Sequence, residues 1–171
     1  MEKHQIAAFP ALEGPFLHHV YIGFCQSDVE RVKSDVEKLL RLEPDLKICT
    51  RNDLETVKSD RFVSSVPESD DVVLAKIANG TCNSQKCLLY VSCDYLQDPW
   101  HSIEVRAVLA KASCFRRLQA GQDVNAVKDV SLTVFGFPPE FVPAELRDFM
   151  NHRPNDEVEW KAFAIDIAKG I

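Results

Sequence analysis

No apolar run in this 171-residue chain approaches the ~20 residues needed to cross a bilayer as a helix. The early apolar stretch from Ile6 to Leu12 is short and broken by Pro10, so neither membrane insertion nor a secretory leader is expected. Positive charge is also scarce: 20 Lys and Arg stand against 26 Asp and Glu, for a net charge of -6. Such a balance argues against a nucleic-acid partner, which calls for a basic face or stripe. The six glycines, at 14, 23, 80, 121, 136 and 170, can form neither GxGxxG nor a phosphate-cradling GxxxxGK[ST] loop. No GxSxG nucleophile elbow is present. Cysteines at 25, 49, 82, 87, 93 and 114 include no CxxC pair, and His18-His19 complete no zinc spacing. His101 and Glu104 lie one helical turn apart but lack a third ligand, so no metal and no cofactor is expected.

What is present suits one ordinary globular domain. Hydrophobic residues make up 46% and charged residues 27% of the chain. A chain of this size buries roughly 70% of its unfolded surface and needs no staples. Cys25, Cys49, Cys87 and Cys93 fall within apolar segments, which predicts reduced core thiols and a cytoplasmic setting.

Strand-like and helix-like segments alternate. His19–Cys25 is almost continuously apolar, the pattern of a strand covered on both faces. Ser27 with Glu30 spells a capping box, and Val29, Val32, Val36, Leu39 and Leu40 then recur at helical spacing until Pro44. Leu46–Thr50 reads as a short strand, followed by a long polar stretch from Arg51 to Asp71. Structureless stretches of that length inside a domain are usually functional. Val72–Asn79 reads as a short helix with Gly80 as its stop. The most apolar strand runs through Cys87–Val91, and Asp98-Pro99-Trp100 then reads as cap, first-turn proline and helix start, with the helix reaching about Ser113. Val130–Phe137 is a fourth strand. Asn155 opens a last helix whose Trp160, Phe163, Ala164 and Ile167 form a stripe. This alternation predicts a three-layer α/β sandwich, with a central, mostly parallel, flavodoxin-like sheet between helices. Ligands and partners of such sheets gather at the carboxyl ends of the strands, which points to Gln26–Asp28, Arg51–Asp71 and Ser92–Trp100. A receiver domain shares this architecture, but Asp28 stands alone after the first strand and no lysine follows Val130–Phe137.

Three pieces carry a family resemblance: Tyr21-Ile22-Gly23-Phe24-Cys25-Gln26-Ser27-Asp28, Leu46-Lys47-Ile48-Cys49, and Val91-Ser92-Cys93-Asp94-Tyr95-Leu96-Gln97. In this order, with a tryptophan in the final amphipathic helix, the chain resembles a Toll/interleukin-receptor (TIR) domain. It is most similar to the myeloid differentiation primary-response adaptor type, as a divergent member. The resemblance covers residues 18–171 and leaves 1–17 as an N-terminal extension. Departures from the family pattern are the second box, where Arg51-Asn52-Asp53-Leu54 is followed by Glu55-Thr56-Val57-Lys58 without the family's Pro-Gly turn, a longer Phe115–Asp129 segment, and a third box near Phe149-Met150 that barely matches.

The resemblance implies an intracellular innate-immune signalling module that assembles with other TIR-domain proteins, receptor or adaptor, and with itself. Its contact residues would be Arg51, Asn52, Asp53, Leu54 and Glu55, with Asp28 as a structural cap. A surface charged with both signs favours oriented, salt-sensitive contacts. The alternative it implies is an NAD hydrolase (NAD+ nucleosidase). Trp100-His101-Ser102-Ile103-Glu104 matches the Trp-x-x-x-Glu pattern of enzymatic TIR domains, with Glu104 catalytic and Trp100 beside it. Read only as residues, Glu104 is expected to be a solvated or ion-paired helix side chain and Trp100 a packing residue.

Overall fold

The computed structural model describes residues 16–51, 69–119 and 132–169, and only the backbone of 114–119. Four strands, β1 (His18–Gly23), β2 (Ile48–Thr50), β3 (Ser84–Ser92) and β4 (Leu132–Phe137), form one parallel sheet in the order β2-β1-β3-β4. Tyr21 lies opposite Cys49 of β2 and Cys87 of β3, and Tyr90 lies opposite Phe135 of β4. The helices are α1 (Val29–Leu42), α2 (Asp70–Asn83), α3 (Cys93–Gln97), α4 (His101–Gln119) and α5 (Glu157–Ala168).

The pleat explains why both sides of the sheet are apolar. Successive strand residues point to opposite faces, so Cys87, Leu89 and Val91 join Tyr21 beneath Val105, Val108 and Ala112 of α4. Val20, Ile22, Leu88 and Tyr90 meet Val32, Val36 and Leu39 of α1, and Trp160, Ala164 and Ile167 of α5. Helix α2 lies beside α4 on the first face, and α1 beside α5 on the second. The fold is therefore a three-layer, flavodoxin-like α/β sandwich, as the alternation predicts. After β1 the chain steps to one side for β2, then crosses to the other side of β1 for β3. The carboxyl ends of β1 and β3 flank this reversal of direction, where parallel sheets leave a crevice.

Several local expectations are corrected. Gly80 does not stop a helix, because α2 continues through it to Asn83. A Cβ at Gly80 would come within 2.5 Å of the Tyr21 ring and 3.3 Å of Cys49 Sγ. This glycine exists to let the helix lie against the sheet. The Ser27–Glu30 capping box does not form either: Gln26–Asp28 is a 3-10 turn, and Asp28 precedes α1 without a side-chain cap bond. The last helix is capped by Asp156, whose Oδ1 accepts from Glu159 N at 2.9 Å, while Glu159 Oε2 accepts from Asn155 N at 2.8 Å.

One buried charge belongs to the scaffold. Asp35 shares the Val32–Val36–Leu39 stripe of α1 and is wholly buried. Its Oδ2 accepts from Tyr90 Oη and from Arg153 Nε, both at 2.9 Å, and its Oδ1 accepts from Arg153 Nη2 at 2.5 Å. A desolvated carboxylate is tolerable only when paired and hydrogen-bonded in this way. The pair ties the segment before α5 to α1 and the sheet.

Candidate functional site

Five elements converge at the β1–β3 crevice. At the end of β3, Ser92 caps α3 by accepting from Tyr95 N at 3.1 Å. Asp98 then opens the next helix as its sequence predicts: Oδ1 accepts from Trp100 N at 2.8 Å, Pro99 follows, and its carbonyl accepts from His101 N at 3.2 Å. Helix α4 starts above the ends of β1 and β3, and its first turn carries Glu104 inward.

Glu104 is the main departure from the residue-level expectation. It is fully buried rather than solvated. Tyr21 Oη donates to Oε1, and Tyr95 Oη donates to Oε2 at 2.8 Å. A Cβ at Gly23 would come within 2.8 Å of the Glu104 carboxyl carbon, so only glycine leaves room for the carboxylate at the end of β1. Burial raises the Glu104 pKa; Arg51 and the two tyrosine hydroxyls oppose the shift without cancelling it, and the net direction is upward. Both tyrosines are pushed far above the usual phenol range, first by burial and then by the Glu104 charge. Both phenols therefore stay protonated, and both act as donors.

Arg51 follows the last residue of β2 and turns into the same cluster. Its Nη2 donates to Asp98 Oδ2 at 2.9 Å and to the Phe24 carbonyl at 3.1 Å. Only 6% of its side chain is exposed, against 17% for Asp98. Burial by itself lowers the arginine pKa, but the charges of Glu104 and then Asp98 outweigh it, and the net shift is upward. One guanidinium thus joins the ends of β1 and β2 to the start of α4.

Beside this network lies a second polar knot. Asp28 Oδ2 accepts from Ser92 Oγ at 2.5 Å and from Cys25 Sγ at 3.1 Å, and Arg31 Nη1 lies 3.3 Å from Oδ1. Arg31 also stacks 3.9 Å above the Phe137 ring. Asp28 is structural, as expected, but it ties β1 to β3 instead of capping a helix. Burial raises the Cys25 pKa and its bond to Asp28 adds to the shift, while burial takes Cys87 to about 12. Thiolates are the reactive form. A thiol reagent at pH 8 is therefore expected to modify exposed Cys82 and Cys93 first and to spare Cys25 and Cys87 until unfolding. Peptide mass mapping checks this, and rapid native labelling of Cys87 would contradict it.

The structure brings Arg51 and Glu104 into one network, with Trp100 half-buried at the same helix start. Asn52, Asp53, Leu54 and Glu55 lie outside the described residues. Arg51, expected at a contact surface, faces inward instead. Sequence reasoning singled out neither Tyr21 nor Tyr95. Among the described residues, no group of three or more His, Cys, Asp or Glu side chains is placed to hold a metal ion. No described helix is long and apolar enough to cross a membrane. Chemically, the crevice holds a carboxylate whose two oxygens already accept hydrogen bonds and which has no exposed surface.

No protein-family model and no curated protein matches the chain. Solved structures do match. A metazoan TIR-STING receptor from C. gigas aligns at a TM-score of 0.50 and 16% identity, over 96% of this chain and 44% of the receptor chain. The same receptor in complex with 2',3'-cGAMP aligns at a TM-score of 0.53 and 18% identity, over 92% of this chain and 41% of that one. The chain thus spans less than half the length of that receptor. Likeness at this identity speaks to fold, and it falls on the receptor's TIR domain. With four parallel strands between two helical layers among the described residues, the chain has the TIR fold.

Proposed function

We propose that the chain is a TIR-type signalling module of the cytoplasm, working by assembly with other TIR domains, its own copies included, through the loop that begins at Arg51. The observation that carries this reading is how that loop is rooted. Arg51 is bolted to Asp98 and to the Phe24 carbonyl, while Glu104, the carboxylate a hydrolase would use, is buried with both oxygens occupied. Arg51, the residue before Asn52, is already held in place, so fixing it adds nothing to the cost of binding there. The charges Asp53 and Glu55 would set orientation and salt sensitivity. Replacing both with lysine is expected to weaken self-association or capture of a partner TIR domain by about tenfold or more, with an unchanged melting temperature. Unchanged association in sedimentation, at a range of salt concentrations, would reject the loop as the contact.

A second reading has one observation in its favour. Glu104 sits against Gly23 at the carboxyl edge of the crevice, where parallel sheets receive ligands. As an NAD hydrolase, the domain would use Glu104 to steady the cationic ribosyl centre as nicotinamide leaves, with Trp100 at the rim. That use requires the Tyr21 and Tyr95 hydroxyls to release the carboxylate first. NAD would be the substrate, and no resident cofactor is needed in either reading.

A further inference from the structure

Two helices on opposite faces of the sheet carry a narrow apolar stripe on their outer sides, between charged or polar residues such as Glu159, Lys161 and Asp166 of α5 and Asp70 and Asn79 of α2. Helix α1 shows the ordinary arrangement: Glu30, Arg31, Ser34, Glu37 and Arg41 face solvent. Helix α5 differs. It buries Trp160, Ala164 and Ile167, yet turns Val158, Ala162 and Ile165 outward, with Val158 77% and Ile165 38% exposed. Helix α2 buries Val73, Ile77 and Gly80, yet exposes Leu74 at 39% together with Ala75, Ala78 and Cys82. Paired stripes of this kind are what protein contacts are made from, whereas single apolar side chains are unremarkable.

The two stripes fit one another. Along α5 the outward positions are 158, 162 and 165, followed by Lys169 at its C-cap, and backward along α2 they are 82, 78, 75 and 71. Both series step by the same helical spacing, so the helices match when laid antiparallel. Val158 then meets Cys82, Ala162 meets Ala78, Ile165 meets Ala75 beside Leu74, and Lys169 meets Asp71. The alanine pair at the centre allows close approach. The end pair brings opposite charges together, with Asp70 next to Asp71 reinforcing the acidic end.

We propose that α5 of one copy docks antiparallel on α2 of a second copy, as a contact separate from the Arg51 loop. It deepens the assembly reading and rests on it only in taking the chain to self-associate. The stripes lie on opposite faces of one molecule, so a docked pair leaves one α2 and one α5 free. Such a head-to-tail contact propagates until it closes a ring or extends as an open chain.

The test is sedimentation velocity of the full chain over a concentration series, with circular dichroism confirming that each variant is folded. The average mass is expected to rise with concentration. A Val158→Lys/Ile165→Lys variant blocks the α5 stripe, and Ala78→Lys blocks the α2 stripe. Each should weaken association about tenfold or more. Mixed in equal amounts, the two blocked variants should regain one α5–α2 contact per pair, and with Asp53→Lys/Glu55→Lys in both chains that complex should stop at the dimer. Asp71→Lys should weaken association, and adding Lys169→Asp should restore it. A wild-type chain that stays monomeric, blocked variants that do not pair on mixing, or a charge swap without recovery would each overturn the proposal. Dissociation by Asp53→Lys/Glu55→Lys but not by the helix variants would remove this contact and keep the loop. Dissociation by the helix variants alone would keep this contact and remove the loop.

Discussion

Replacing Arg51 with methionine is expected to destabilise the domain by about 3–5 kcal/mol, the range for removing one partner of a buried ion pair. Methionine keeps much of the aliphatic packing, so the loss isolates the guanidinium. Two acceptors depend on it, Asp98 Oδ2 at 2.9 Å and the Phe24 carbonyl at 3.1 Å, and its charge also balances that of Glu104 behind the tyrosines. Asp98 is partly exposed and recovers some hydration, but Glu104 has no exposed surface and recovers none. In a domain of this size the loss lowers the melting temperature by roughly 10 °C or more. The origin of the loss is tested by a second substitution. Glu104→Gln removes the charge while retaining an oxygen for one tyrosine hydroxyl, and its amide can donate to the other phenol oxygen. If Arg51 serves to neutralise Glu104, the Arg51→Met/Glu104→Gln pair loses clearly less than the sum of the single losses. Strictly additive losses in denaturant titration would mean that Arg51 acts through Asp98 and Phe24 alone.

Gly80→Ala is expected to destabilise, against the general rule for helices. At an ordinary interior helical position the change gains up to about 1 kcal/mol. Gly80 is helical with no positive φ, so backbone strain is not the issue. The obstacle is the Tyr21 ring, 2.5 and 2.6 Å from where the methyl group would sit. That ring cannot swing aside without releasing its hydroxyl from Glu104, and it is flanked by Cys49 and Cys87 on the neighbouring strands. Helix α2 must lift instead, and overpacking of this kind costs about 1–3 kcal/mol. A melting temperature at or above that of the parent would show that the helix has slack over β1.

The contrast between these residues shows what a single sequence reveals. Strand order along the chain, two-sided burial and the Asp98-Pro99-Trp100 helix start are all local patterns, and they are legible. Glu104 was legible as a position but not as an environment. Its hydroxyl partner Tyr21 lies 83 residues away, and nothing in the spacing joins them. A usable signal did exist. Glu104 shares the arc of Val105, Val108 and Ala112, so an inward-facing side chain could have been read from helical spacing. Asp35 carries the same signal among Val32, Val36 and Leu39. Gly80 reads as a helix stop because glycines are common at helix ends, whereas the close approach of Tyr21 is a tertiary fact. Arg51 opens a polar stretch and looks solvated until β2 pairs with β1 and turns it toward Asp98.

The most direct test of Glu104 as an architectural carboxylate in an assembly module is NAD consumption by the purified, folded chain beside Glu104→Gln, at high protein concentration. The expected result is no turnover by either protein, together with self-association that survives Glu104→Gln. Turnover by the parent that vanishes in the variant would contradict the account and make Glu104 a catalytic residue.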